Sequence, residues 1–163
     1  TAVLRKVPAC EQDVIALFFG FLERGIFGDL RVFGLSTIEQ YDAKFLAKRT
    51  GESKFPSVPA GDDKLYNLEF KDKLSKIIDD FDNKVKDADD LQLIVCWEND
   101  YNNSDPRYKV YDADQSRLSE DDKLFEHVHL VLSDQHSFIE VPVIELRQVV
   151  AELASAQGVS SVA

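Results

Sequence analysis

The first strong hydrophobic pattern lies near the start of the chain, in residues 10–25, CEQDVIALFFGFLERG. Its apolar residues recur at helical spacing, and Gly25 is typical of the end of a helix. After this segment the period shortens. Residues 30–36, LRVFGLS, predict a short strand, and residues 38–46 alternate well enough to predict a second one. The chain therefore opens with a helix followed by two strands.

The middle of the chain predicts a crossover between parallel strands. Residues 64–71, KLYNLEFK, alternate as a strand, and from Leu74 to Val85 the apolar residues return to helical spacing. Residues 91–97, LQLIVCW, are apolar on both faces, which is typical of a central strand covered on both sides. Strand, helix and buried strand predict a right-handed parallel crossover. Residues 47–64 contain two Pro and two Gly and predict a long loop.

The C-terminal part is less sharply patterned. Residues 107–113 and 126–134 predict strands, and residues 118–125 predict a short helix or a loop. Residues 138–144 predict an edge strand, because Pro142 cannot donate a backbone hydrogen bond to a neighbouring strand. Apolar residues from Leu146 to Leu153 predict a last helix.

The length of the chain indicates one domain over residues 1–163, and its order of predicted helices and strands indicates an α/β fold, with a C-terminal strand–helix extension in 98–154 and a frayed tail in 155–163. The chain is 44% hydrophobic and 30% charged, as globular proteins are. No apolar run reaches the roughly 20 residues that span a bilayer, so we expect no membrane partner. The chain begins at Thr1 and lacks Met, and we expect it to be an excised part of a longer protein.

The two cysteines bear on the compartment of the protein, and its net charge bears on the partners it can bind. Cys10 and Cys96 form no disulfide framework and have no zinc-site spacing, and they favour a reducing intracellular compartment, cytoplasmic or nuclear. The net charge of −11 argues against a broad basic surface for nucleic acid. It is compatible with a domain that another domain or subunit delivers to its substrate.

An acid and a lysine share one face of the third predicted strand. Glu69 and Lys71 are two residues apart, so both point away from the face that holds Leu68 and Phe70. The acid-x-lysine pattern is weak by itself. It occurs six times, at Asp42/Lys44, Glu52/Lys54, Asp62/Lys64, Glu69/Lys71, Asp82/Lys84 and Asp121/Lys123. Only the Glu69 triplet lies on an apolar strand between an Asp-bearing strand and a helix with a buried strand after it.

The order helix, three strands, helix, buried strand, with Asp42 in YDAKF and Glu69 and Lys71 in LEFK, resembles the core of the restriction-endonuclease-like, or PD-(D/E)xK, nuclease superfamily. The likeness covers roughly residues 10–97. It departs from the family pattern in two respects: no Pro precedes Asp42, and a long segment separates Asp42 from Glu69. The overall pattern is also similar to domains attached to MORC-like or other GHKL-type ATPases.

The resemblance implies a metal-dependent nuclease. Asp42 and Glu69 would hold Mg²⁺ or Mn²⁺, with Glu11 of the first helix beside them, and Lys71 would act on the catalytic water or the developing charge. It further implies nucleic acid as a partner, and an ATPase domain or subunit. A homo-oligomer is also compatible with the sequence.

The alternative is a non-catalytic interaction or oligomerisation module that keeps the fold. The net charge and the unusual spacing favour this alternative. Other candidate residues carry weaker signals. His127 and His129 could face one metal ion, but no third ligand is evident, and ordinary half-buried histidines are the simpler interpretation. Asp79, Asp80 and Asp82 indicate a solvated helix face, and for Asp82 a position at the border of the cleft is the alternative.

Overall fold

A computed structural model describes residues 6–28, 30–36, 40–46, 65–116 and 126–158. The helices in these ranges are α1 (Glu11–Glu23), α2 (Ser75–Asp82) and α3 (Leu146–Ala156). The strands are β1 (Arg31–Leu35), β2 (Ala43–Leu46), β3 (Tyr66–Lys73), β4 (Leu93–Glu98), β5 (Tyr108–Asp112), β6 (Leu130–Asp134) and β7 (Ile139–Glu145). None of these helices is both long enough and apolar enough to cross a membrane. The predicted loop 47–64, the segment 118–125 and most of the tail 155–163 lie outside the described residues.

All seven strands join one mixed sheet in the order β1-β2-β3-β4-β7-β6-β5. The pairs β1–β2 and β2–β3 are antiparallel, whereas β3–β4 and β4–β7 are parallel. Strand β4 therefore occupies the middle of the sheet and runs parallel to β3 across the α2 crossover, as the apolar pattern of residues 91–97 predicts. Four of its residues are fully buried: Leu93, Ile94, Val95 and Cys96. The mixed α/β class is confirmed.

The helices cover both faces of the sheet. Side chains of α1 and α3 pack with Phe70 and Val95 in one apolar cluster. Side chains of α2 pack with Ile94 and Cys96 in a second cluster on the opposite face. Successive residues of β4 alternate between these clusters, as the twofold period of a strand requires. The result is a three-layer arrangement in which β4 is covered on both sides.

The prediction of an edge strand at residues 138–144 is wrong. Strand β7 lies inside the sheet, between β4 and β6. Its pairing with β4 begins at Val143, one residue after Pro142, so the parallel ladder starts beyond the missing N–H. On the other side Pro142 lies opposite Val131 of β6. The predicted C-terminal extension is therefore an integral part of the domain, because three of its strands continue the sheet of the N-terminal part.

Three elements begin or end differently from the sequence prediction. Residues 40–42 are not strand, so Asp42 directly precedes β2. Strand β6 begins at Leu130, since His127 adopts a left-handed backbone conformation with φ of 66°. Helix α2 ends at Asp82, and Val85 is 54% exposed instead of continuing the apolar face.

Candidate active site

The candidate site is built around Glu69, whose side chain is completely buried. Leu68 and Phe70 on either side of it belong to the apolar cluster beneath α1. Alternation along β3 therefore places the Glu69 carboxylate on the opposite face, where α2 lies. A buried carboxylate is costly unless it is paired and hydrogen-bonded, so its partners determine what the site can do.

Asp42 is fixed beside Glu69 by the backbone pairing of β2 and β3, in which Ala43 lies opposite Leu68. The Phe70 N–H donates to Asp42 Oδ2 at 2.9 Å. In return the Asp42 N–H lies 3.4 Å from Glu69 Oε2, a long hydrogen bond. The two acids expected from the sequence are therefore neighbours, and each is held by the main chain next to the other.

Lys71 lies at the centre of three carboxylates. Its Nζ is 3.2 Å from Glu69 Oε1, 3.0 Å from Asp80 Oδ2 and 3.7 Å from Glu11 Oε2. Its side chain is only 13% exposed. The structure thus brings together all four residues that the sequence singled out, Glu11, Asp42, Glu69 and Lys71. Their catalytic and metal-binding roles stay predictions.

Lys86 is a member of the site that the sequence analysis missed. Its Nζ contacts Glu69 Oε1 directly and lies 4.0 Å from Asp80 Oδ2. Asp80 was also misjudged: it is an ion-pair partner of Lys71 and not part of a solvated face. Asp82 is exposed, as expected for a solvated face.

The turn after α2 brings Lys86 back to the sheet. The Lys84 N–H donates to the Phe81 carbonyl and the Val85 N–H donates to the Asp80 carbonyl, the paired bonds of a Schellman motif. Lys84 occupies the left-handed position with φ of 55°, where glycine is the usual residue. Because no glycine marks this turn, the residue pattern does not predict it.

We call Glu11, Asp42, Glu69, Asp80, Lys71 and Lys86 the acidic-lysine cluster. Burial raises the pKa of Glu11, and the nearby Asp42 carboxylate raises it further, while Lys71 and Lys86 oppose the change. Burial lowers the pKa of Lys86, against the attraction of Asp42 and Glu11. Four carboxylates face two ammonium groups, so the fully ionised cluster has an excess of two negative charges.

That excess equals the charge of one divalent cation, and the oxygen donors are of the type that Mg²⁺ and Mn²⁺ prefer. The fit is incomplete in one respect. Among the described residues, the carboxylates of this cluster do not form a trio with ligand atoms all within 4.8 Å of one another. A metal ion would therefore have to draw the carboxylates inwards and displace Lys86 from Glu69.

A cleft of about 450 Å³ opens beside the cluster. Lys86 lines it together with two more cations, Lys84 and Arg107, and with Asp87 and Asp90. Arg107 is engaged with the buried Asp134, at 2.9 Å from Nη2 to Oδ2. The cleft is a polar groove that leads to the face of the cluster formed by Lys86.

The two histidines noted in the sequence have a third partner after all. Glu152 of α3 contacts both His127 and His129, and the ligand atoms of the three side chains lie within 4.8 Å of one another. The expectation that no third ligand exists is therefore wrong. We call His127, His129 and Glu152 the histidine cluster. Nothing in the sequence pattern predicts that α3 meets the segment before β6.

Comparison of the chain with protein-family models, with curated proteins and with solved structures finds no match.

Proposed function

We propose that the chain is a nuclease module that hydrolyses phosphodiester bonds of nucleic acid with the help of Mg²⁺ or Mn²⁺. The observation that carries the proposal is that Asp42 and Glu11, which are distant in the sequence, converge on the neighbouring Glu69 and Lys71 of β3. A chance acid-x-lysine triplet on a strand would have no reason to meet an aspartate from the preceding strand and a glutamate from the first helix.

Each residue has a role that follows from its contacts. Asp42 and Glu69 would hold the metal, with Glu11 as the third carboxylate. When bound, the metal would supply Lewis-acid polarisation of the phosphate and activation of water. Among the residues that the structure describes, Lys71 is the ammonium group in contact with both Glu69 and Glu11, so it would orient the attacking water or stabilise charge on the phosphate.

The order of α1, β1, β2, β3, α2 and β4 is the order that the resemblance to restriction-endonuclease-like nucleases implies, and it supports assigning this core to that fold. The net charge of −11 opposes strong binding of a polyanion by this chain alone. Delivery of the substrate by another domain or subunit, such as an ATPase, is therefore part of the proposal.

One observation favours a second function, a non-catalytic interaction or oligomerisation module. Glu69 is already neutralised by Lys71 and Lys86 without a metal ion. A site of this kind could serve only to hold β2, β3 and α2 together. The two functions differ in what Lys71 does, and this difference can be tested.

The test compares cleavage by the full-length protein, with any ATPase partner supplied, before and after Lys71→Ala. We expect metal-dependent cleavage of plasmid or single-stranded DNA or RNA to fall at least about 100-fold, the scale of losing one well-placed transition-state contact. Mg²⁺ and Mn²⁺ affinity should be unchanged or higher, because a competing cation is gone. Calorimetric titration measures this affinity.

The matched control is Lys76→Ala. Lys76 forms a comparable ion pair with Asp72, at 2.6 Å, but on the exposed side of α2. This variant should cleave as wild type does. If wild type shows no metal-dependent cleavage above Lys71→Ala on any of these substrates, the nuclease proposal fails and the interaction module stands.

A further inference from the structure

The histidine cluster joins two distant parts of the chain. His127 Nδ1 lies 2.7 Å from Glu152 Oε2, and His129 Nε2 lies 2.6 Å from Glu152 Oε1. The histidines belong to the segment before β6, and the glutamate belongs to α3. One carboxylate thus bridges two imidazole rings, with each oxygen directed to a different ring.

The backbone around the rings is held by its own contacts. The Ala113 N–H donates to the His129 carbonyl at 2.8 Å. Val128, between the two histidines, is buried in the apolar cluster beneath α1 and α3. The edge of the His127 ring packs against Phe27, with the ring planes at 85°. The histidines are therefore positioned by the fold and do not depend on the glutamate for their placement.

His129 Nε2 is buried and makes no hydrogen bond within the described residues. It is 2.6 Å from Glu152 Oε1, but the direction from the ring nitrogen is not that of a hydrogen bond, so we treat this contact as electrostatic. A buried ring nitrogen without a hydrogen bond is unusual, because burial removes its hydrogen bonds to water and nothing in the protein replaces them. An ion between the ring and the carboxylate would give this nitrogen a partner.

The donor set identifies the kind of ion. Two imidazole nitrogens and one carboxylate oxygen suit zinc and similar first-row transition metals, whereas Mg²⁺ and Ca²⁺ prefer oxygen donors alone. Two histidines and one glutamate are also a known set of three protein ligands that leaves a fourth position of the metal open. We propose that His127, His129 and Glu152 bind one divalent transition-metal ion of the zinc type, with an open coordination position.

Binding would require a small local rearrangement. With zinc–ligand bonds of about 2.0–2.1 Å in a tetrahedron, neighbouring ligand atoms are about 3.3 Å apart. The nitrogen–oxygen distances of 2.6 and 2.7 Å would therefore widen by roughly 0.6 Å. Each ring would present a lone pair to the ion and carry its proton on the other nitrogen. Side chains that are 21–37% exposed have room for this movement.

This site is separate from the acidic-lysine cluster and does not rest on the proposed nuclease function. The experiment is a calorimetric titration of the full chain with Zn²⁺, without a polyhistidine tag and with excess Mg²⁺ present to occupy the acidic-lysine cluster. We expect one Zn²⁺ per chain for wild type. His129→Gln and Glu152→Gln should each weaken this binding at least about 100-fold, beyond the usual loss for a residue that only supports a metal ligand.

His136→Gln and Glu23→Gln are the matched controls, since both residues are exposed and outside the histidine cluster. Both variants should bind Zn²⁺ as wild type does. Circular dichroism checks that each variant folds, and Co²⁺ gives a second readout, because its visible absorption reports nitrogen ligation. The proposal is overturned if wild type binds no stoichiometric Zn²⁺, or if His129→Gln and Glu152→Gln bind as tightly as wild type.

Discussion

The acidic-lysine cluster and the histidine cluster differ in how deeply their glutamate is buried and in which groups accompany it. In the first, the fully buried Glu69 is surrounded by the ammonium groups of Lys71 and Lys86, which are 13% and 9% exposed. In the second, Glu152 is 37% exposed and its partners are imidazole rings that carry charge only when protonated. The first cluster pairs a buried carboxylate with two lysine cations, whereas the second joins a partly exposed carboxylate to two imidazole rings.

This difference indicates which cluster should lose more stability when one of its side chains is removed. Removing one partner from a buried ion pair leaves a charge without water or counter-charge, whereas an exposed group can be solvated instead. The acidic-lysine cluster should thus be costly to break. The histidine cluster should be cheap to break and available to a metal ion, because its donors lie close together and no lysine of the described ranges is paired with Glu152.

The largest expected effect is on stability. Glu69→Ala should lower the free energy of unfolding by about 3 kcal/mol, because Lys71 and Lys86 lose the buried anion that both contact and retain only partly exposed carboxylates such as Asp80. Glu152→Ala, measured without added metal, should cost no more than about 1 kcal/mol. Urea unfolding of both variants measures the contrast. Equal costs for the two would mean that the lysines reach solvent once Glu69 is gone.

An intermediate effect is expected on metal affinity at the acidic-lysine cluster. Lys86→Met keeps most of the side-chain bulk but removes the cation in contact with Glu69. Mg²⁺ and Mn²⁺ should then bind about tenfold more tightly, equal to about 1.4 kcal/mol. Calorimetry measures this change.

Lys84→Met is the control for that experiment, since Lys84 lines the same cleft but is exposed and lies in the turn after α2. It removes the same charge without freeing Glu69, so the affinity should change less than for Lys86→Met. Unaltered or weaker metal binding by Lys86→Met would show that Lys86 does not compete with metal for Glu69.

The smallest expected effect, within about 1 kcal/mol, is on the free energy of unfolding: ionised Glu11 should lower it, whereas ionised Glu152 should raise it. Burial and the charge of Asp42 raise the pKa of Glu11, so its ionised form destabilises the fold, and this cost disappears as pH falls through the raised pKa. Burial also acts to raise the pKa of Glu152, but His127 and His129 outweigh it and the net pKa is lowered. Glu152 therefore stabilises above its unfolded pKa, and this contribution is lost as pH falls through the lowered value.

At pH 7, in the presence of a chelator, Glu11→Gln should accordingly be slightly more stable than wild type and Glu152→Gln slightly less stable. Both differences should shrink on acidification from pH 7 to pH 3, as followed by urea unfolding. The same sign for both variants at pH 7 would contradict the opposite electrostatic environments assigned to the two carboxylates.

The parts of the site that follow a short period could be predicted from the sequence. Glu69 and Lys71 share a face because strands alternate, and Asp42 meets them because β2 pairs with β3. The parallel crossover and the central position of β4 were likewise predicted, from an apolar run that only a doubly covered strand would carry.

The remaining features could not be predicted, because they depend on backbone conformations and tertiary contacts that produce no periodic pattern in the sequence. Lys86 reaches Glu69 through a Schellman turn whose left-handed residue is Lys84 instead of glycine. Glu152 meets the histidines only because α3 packs beside the segment before β6. The position of β7 was misjudged because Pro142 excludes a hydrogen bond at one residue, not pairing along the whole strand.

The central place of β4 has a consequence for synthesis of the chain. One edge of β4 can pair with β3 as soon as residue 98 has left the ribosome, but the other edge waits for Val143–Glu145 of β7. During that interval an almost wholly apolar strand has a free edge, which is the form most prone to pair with a neighbouring chain. A chain that ends between residues 98 and 143 would therefore leave this edge of β4 without its partner β7 and open to pairing with another chain.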